Sequence, residues 1–257
     1  MTFNLRLLTG VMLASLIALP AAAPARADSF SADQRGEIER IVKEYLLSHP
    51  ELLQEVMSEL EKRQATAEAE KHRAAVTEHS ASIFTSPRQV TLGNAQGDVT
   101  VVEFFDYNCG YCKRAMADML DLMKADQKLK VVLKEFPVLS QGSVEAAQVA
   151  VAVRMQDPTG KKYLDFHQKL LGGRGPADKA RALAVAKDVG LDMAKLEKDM
   201  ASPEAKATIE ENFKLAEDMG MNGTPSYVIG KQIVVGAVGL DGLKEKIGMA
   251  RCGKATC

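Results

Sequence analysis

An excess of charge of either sign is missing: 33 Lys and Arg face 34 Asp and Glu, for a formal net charge of -1. That balance gives no reason to expect nucleic acid or an anionic membrane surface as the main partner. Cysteine is scarce, with four in 257 residues, far too few to staple a chain of this length by disulfides. The four histidines, His49, His72, His79 and His167, have no ligand spacing. No phosphate loop, Ser-His-Asp set, nucleic-acid motif or internal repeat stands out. Beyond residue 27 no apolar run is long enough to cross a bilayer. Hydrophobic residues still make up 46% of the chain, enough to core one large domain or two small ones.

The first 27 residues stand apart. Arg6 supplies a thin positive region, Leu7 to Leu19 is an apolar run of 13 residues, and Pro20 ends it. Ala25-Arg26-Ala27 then fits a small-x-small cleavage site. Residues 1–27 therefore read as a secretory signal peptide, with an uncleaved anchor as the alternative. Export places the cysteines where disulfides persist.

From Ser31 to His79 the pattern is helical. Ile38, Ile41, Val42, Tyr45 and Leu46 form one stripe, and Leu53, Val56, Met57 and Leu60 a second. Between them, Ser48-His49-Pro50-Glu51 reads as a helix restart with Ser48 as N-cap of a capping box. The stripe is narrow and the segment highly charged, so it must dock on the main domain or on copies of itself. The polar stretch after Leu60 favours self-association of residues 28–80.

Residues 81–257 read as a separate α/β domain. Thr100 to Phe105 is a β-rich run, followed by a helix from about Cys109 to Lys124 and a strand from Lys130 to Phe136. Helical spacing makes Met116, Met119 and Met123 core residues rather than a copper box. A helical block fills about 140–218. Gly223-Thr224-Pro225 breaks the chain before two short strands joined at Gly230-Lys231, and a last helix spans Leu240 to Ala250.

Cys109-Gly110-Tyr111-Cys112 stands where a strand gives way to a helix. There the helix dipole and first-turn N–H groups favour a thiolate at Cys109, which should be the exposed nucleophile. Cys112, one turn in, should be more buried and resolve the mixed disulfide. Lys113 and Arg114 should favour the thiolate, and Asp106 should oppose it. A haem attachment site is disfavoured because Lys113, not His, follows the pair.

The run Val102 to Cys112 resembles the active-site strand and helix of DsbA-type thioredoxin-fold proteins. The resemblance covers roughly residues 86 to 250. It implies a thioredoxin-like fold with an all-helical insertion, and thiol–disulfide exchange with no cofactor beyond a redox-active Cys109–Cys112 disulfide. It gives Glu103, otherwise a strand-edge carboxylate, the place of a buried acid that moves the Cys112 proton. It also implies a cis proline at Pro225 that, with Thr224, aligns an extended substrate strand. Departures are informative: Gly110-Tyr111 replaces the Pro-His typical of strong oxidases. Gly-Tyr together with Thr224 resembles the DsbC-type isomerases. The N-terminal helices resemble those of the suppressor-of-copper-sensitivity C-type subgroup, some of whose members are trimers with isomerase activity.

These likenesses imply a periplasmic oxidoreductase leaning to isomerase or reductase, acting on exported cysteine-containing proteins and reset by a membrane thiol reductase. A homo-oligomer is implied, with a trimer favoured. The alternatives are a monomeric oxidase with a re-oxidising membrane partner, and a copper(I) carrier using the same thiols. Cys252 and Cys257 read as a structural disulfide, ahead of a second redox relay or a metal site. A zinc site from all four cysteines is the weakest reading.

Overall fold

The structure, a computed structural model, describes residues 30–257. The signal peptide reading for residues 1–27 thus lies outside the described residues. The chain divides into two compact units at Glu59 and Leu60.

The first unit holds α1 (Ala32–Ser48) and the opening turns of α2 (Glu51–Glu78). Ser31 caps α1: its Oγ accepts from Gln34 N at 3.2 Å, while Gln34 Oε1 accepts from Ser31 N at 2.9 Å. That reciprocal pair is a capping box, at a place the sequence reading passed over. Ser48, by contrast, does not do what its S-x-x-E spacing suggests. Its hydroxyl donates back to Glu44 O at 2.8 Å and Tyr45 O at 3.1 Å, so it closes α1 instead of opening α2. A serine in a last turn finds the i−4 carbonyl before it finds the next helix. No residue of α1 is buried, and Ile41, Val42 and Tyr45 stand exposed along one stripe.

The second unit begins within α2. Val76 packs beside Ile83 of α3 (Ser80–Phe84), against Val102, Phe104 and Val132. The main body therefore starts at Leu60 rather than at residue 81, because the last turns of α2 cover one face of its sheet. The strands are β1 (Val90–Gly93), β2 (Val99–Phe105), β3 (Leu129–Glu135), β4 (Ser226–Ile229) and β5 (Gln232–Val235). Their order is β1-β3-β2-β4-β5, with β2 and β3 parallel and the other pairs antiparallel. The parallel pair is joined by a helix, α4 (Gly110–Ala125), as such a crossover requires.

β2 is central and buried on both faces, which explains its nearly unbroken apolar run. Val101 and Phe105 face a core that includes Met119 of α4 and Ile247 of α10 (Gly239–Cys252), and Val102 and Phe104 face the opposite core. Between β3 and β4 run α5 (Gln141–Gln156), α6 (Lys161–Gly172), α7 (Lys179–Asp188), α8 (Met193–Met200) and α9 (Pro203–Asp218). Ser140, Asp178, Asp192 and Ser202 each cap the helix that follows through a side-chain oxygen.

At the chain end Cys252 and Cys257 are joined by a disulfide. Gly253, at φ 76°, ends α10, and its N–H donates to Met249 O. The closing loop then returns across Gly248, where a Cβ would stand 2.5 Å from Ala255 O and 2.7 Å from Lys254 O. Gly248→Ala should therefore lift this loop off α10 and cost about 1–3 kcal/mol, read as a thermal midpoint lowered by several degrees. An unchanged midpoint would show that the loop yields freely.

Candidate active site

The C-terminal end of β2 runs into a turn built around Asp106, which is buried. Its Oδ1 accepts from Asn108 N at 2.8 Å and its Oδ2 from Leu139 N at 3.0 Å, while its backbone carbonyl accepts from Cys109 N at 3.0 Å. The carboxylate expected to oppose a thiolate is thus engaged in holding two loops together. Asn108 ties the same turn to the helical block. Its Oδ1 accepts from Ala177 N at 2.7 Å, and its Nδ2 donates to Ala177 O at 2.9 Å and Ser143 Oγ at 3.0 Å.

Cys109 is the N-cap of α4, so its side chain stands at the positive end of the helix. It is less open than the sequence suggested, at 6% exposure, and Cys112 is at 0%. The cover is the segment around Pro225: the Thr224–Pro225 bond is cis, and Cys109 Sγ donates to Thr224 O at 3.2 Å. Cys109 and Cys112 are free thiols, both buried. Tyr111 is 58% exposed, with the Arg114 guanidinium 4.4 Å from its ring centre. Lys113 Nζ donates to Gly173 O at 3.2 Å. Both cations near the pair are therefore held by other groups. Around the missing Cβ of Gly110 there is open space to 4 Å.

Glu103 lies on β2 in register between Leu133 and Tyr227. It is buried, and that burial pushes its carboxyl up to about 8, with the negative charge of Asp118 adding to the shift. Burial also drives the Cys112 thiol upward, and Glu103 adds to it. Tyr227 is raised by burial first and by Glu103 second. Glu103, Cys112 and Tyr227 form a group in which each proton is hard to remove while its neighbours carry charge.

A second polar chain escaped the sequence reading. Tyr163 OH donates to Glu135 Oε1 at 2.5 Å, Tyr107 OH lies 3.5 Å from Tyr163 OH, and His167 Nδ1 lies 3.3 Å from Tyr107 OH. Burial raises Glu135 and both tyrosines and lowers His167 to about 3. Desolvation thus favours the neutral form of each, and the four join β3 and the Cys109 turn to α6. Their one visible signal was Tyr107 beside the cysteine pair.

The Cys252–Cys257 disulfide is remote from Cys109. Arg251 NH2 donates to Asp98 Oδ1 at 2.7 Å, just before the first residue of β2, and a strand of this length spans about 20 Å. The four cysteines do not meet in one zinc site. Among the described residues no group of three or more His, Cys, Asp or Glu could hold a metal ion.

A parallel β–α–β unit, an antiparallel hairpin and paired thiols beside a cis proline define a thioredoxin-fold protein. Residues 100–248 match the DSBA-like thioredoxin domain, and the chain belongs to that family of thiol–disulfide oxidoreductases. Residues 34–67 match the N-terminal domain of the copper resistance protein ScsC. A thioredoxin-like oxidoreductase from Silicibacter pomeroyi is 44% identical, with 66% of this chain and 96% of that one covered and a TM-score of 0.63. A linker-deletion variant of ScsC from Proteus mirabilis is 25% identical, covers 88% and 98%, and has a TM-score of 0.65. Disulfide bond formation protein D of Bacillus subtilis is 27% identical over 173 residues, 62% of this chain and 75% of that protein. The chain spans about a quarter of the length of the first curated relatives it matches, which are Na+/H+ antiporters.

Glu103 gives a pH prediction. A carboxyl raised to about 8 in the folded state costs nothing below its unfolded value near 4.5. Between that value and 8 the folded chain binds more protons than the unfolded chain, so stability falls as pH rises. Glu103→Gln should remove this slope and stabilise the protein at pH 8 by roughly 2–4 kcal/mol, measured by denaturant unfolding across pH 4 to 9. Parallel curves for wild type and variant would overturn the assignment.

Proposed function

We propose that this chain is an exported, periplasmic protein disulfide isomerase or reductase, working through Cys109 and Cys112. The observation that carries the reading is the 3.2 Å contact between Cys109 Sγ and the carbonyl of Thr224, next to the cis bond to Pro225. The thiol thereby lies beside the Thr224–Pro225 backbone, along which this reading aligns an extended substrate.

In this reading the Cys109 thiolate attacks one sulfur of a substrate disulfide. A mixed disulfide forms and the other substrate sulfur leaves as a thiolate. For isomerisation, that thiolate attacks a second substrate disulfide, and a substrate thiolate then displaces Cys109; no net electrons move. For reduction, Cys112 attacks Cys109 Sγ, the substrate leaves as a dithiol, and the two electrons come from the Cys109–Cys112 pair. A membrane thiol reductase restores the pair. Glu103 receives the Cys112 proton, for which a carboxyl raised to about 8 is well matched. Thr224 and Pro225 align the substrate, and Gly110 and Tyr111 line its approach.

The exposed stripe of α1 and the match of residues 34–67 to the ScsC N-terminal domain support a homo-oligomer, with a trimer favoured. Export is supported by the signal-like N-terminus and by a 26% identical relative from Salmonella enterica described as a periplasmic thioredoxin-like protein. That same ScsC match favours copper(I) capture by the reduced pair as the second reading. Stoichiometric, tight copper binding by the reduced protein that blocks thiol alkylation would favour it.

Reactivation of a scrambled disulfide substrate tests the main reading. The mature protein should restore activity, and Cys109→Ser should abolish it. Cys112→Ser should accumulate mixed disulfide. A truncation starting at Leu60 should lose isomerisation on the order of tenfold as sites per particle fall, while keeping simple exchange. Negligible isomerisation by both forms, with fast oxidation of reduced substrate, would make the protein an oxidase instead.

A further inference from the structure

β5 is the last strand of the sheet and pairs only with β4, so one of its edges is open. The register says which backbone groups stand there. Gly230-Lys231 is a two-residue turn closed by the Ile229–Gln232 pair, which makes that pair a hydrogen-bonded one. Bonded and non-bonded pairs alternate, and Gly236 N donates to Pro225 O at 2.8 Å as the alternation requires. Ile233 and Val235 therefore turn their N–H and C=O groups to the open edge. Among the described residues no hydrogen bond occupies those groups.

The edge lies in a groove of about 800 Å³, walled by α2 on one side and α10 on the other. All of its lining belongs to the second unit. His72 and Arg73 come from α2, Lys231 from the turn, and Lys246 and Met249 from α10. Four basic side chains thus line the groove, and among the described residues no carboxylate does. Glu68 stands 3.8 Å from His72, and Glu245 3.3 Å from Lys246, both outside the lining. Arg73 Nε donates to Ala69 O at 3.4 Å. Neither Arg73 nor Lys231 meets a carboxylate in an ion pair among the described residues.

These features select the occupant. Lysine at an edge strand repels another basic strand and leaves an acidic one as the fitting pair. A second copy docked through β5 would set the basic walls of both against each other. The chain's own residues ahead of Phe30 hold one acid, Asp28, against Arg6 and Arg26. A lipid headgroup would meet the cations but leave the N–H and C=O groups of the edge unused.

We propose that the β5 edge, between α2 and α10, takes up an extended acidic segment of a partner polypeptide as a further strand of the sheet. The partner's backbone pairs with Ile233 and Val235, and its Asp or Glu side chains meet Arg73, Lys231 and Lys246. The groove shares no lining residue with the cysteine site, so the docking does not depend on the thiol chemistry.

The test uses the full chain and three labelled peptides of one length. The first alternates Glu and Thr, and the second alternates Lys and Thr. The third keeps the Glu count but has proline at every third position, which prevents a strand ladder. By fluorescence anisotropy the first should bind, the second should not, and the third should bind at least about tenfold more weakly. The bound Glu-Thr peptide should slow amide exchange at Ile233 and Val235. Lys231→Glu, at an exposed turn, should weaken binding about tenfold, and added salt should weaken it too. Should that variant disturb the turn, Arg73→Glu on the exposed face of α2 gives the same reading. Equal binding of the Glu and Lys peptides, or binding without slower exchange at Ile233 and Val235, would overturn the proposal. Slower exchange there in the protein alone, at rising concentration, would assign the edge to a second copy instead. Binding to phosphatidylglycerol vesicles that Lys231→Glu abolishes, with no peptide bound, would assign the cations to a lipid surface and overturn it as well.

Discussion

Cys109 and Thr224 are 115 residues apart in sequence and 3.2 Å apart in space. That contact is the constraint on which the rest of the second unit turns. It exists because β2 is flanked by β3 in parallel and β4 in antiparallel orientation. The C-terminal end of β2 and the N-terminal end of β4 then share one edge of the sheet. The chain between them must leave β3 at that same edge and return there. Five helices do this, and four of them start on a side-chain cap that lets the turn be short. The helical block is therefore tied to the site as well as inserted near it. Asn108, directly before Cys109, makes three hydrogen bonds to that block.

The same register creates the electrostatic character of the site. Placing Glu103 opposite Leu133 and Tyr227 leaves its carboxyl no exposed path on its own strand. Desolvation then holds its proton far above the ordinary carboxylate range, and Cys112 is raised by the same cause. Two buried acids side by side cannot both ionise cheaply. A proton leaving Cys112 has a ready acceptor only when Glu103 is charged. The stability lost by burying Glu103 is thus the counterpart of the base role proposed for it.

Much of this was legible because it is local. The β-rich run Thr100 to Phe105, the helix start at the cysteine pair, the Gly230-Lys231 turn and the helix-spaced methionines of α4 follow from residue pattern alone. β1 was not read, because four edge residues that alternate in burial give too short a signal. The cis Pro225 segment was expected only through the family resemblance, and the depth to which it covers Cys109 was not, since that cover comes from a loop more than a hundred residues away. Ser48 misled because a capping-box spacing says nothing of the helix already behind it. Val76 and the polar chain from Glu135 to His167 were invisible for a shared reason: each meets its partners only after the sheet has formed.

Gly110 and Tyr111 differ from every other part of the site in being unconstrained by packing. Gly110 is the first residue of α4, and nothing lies within 4 Å of where its Cβ would be. A proline fits such a helix start without cost, so sterics do not select glycine there. Tyr111 points outward and supports a guanidinium rather than a buried neighbour. Packing cannot explain why these two residues stand between the cysteines. In the proposed reading their part is in what they do not bring to the Cys109 sulfur. A histidine would bring a cation able to stabilise the thiolate, and a tyrosine brings none. A less stabilised thiolate makes a reduced pair a stronger reductant, which is how this dipeptide enters the proposed direction of exchange while the fold remains the same.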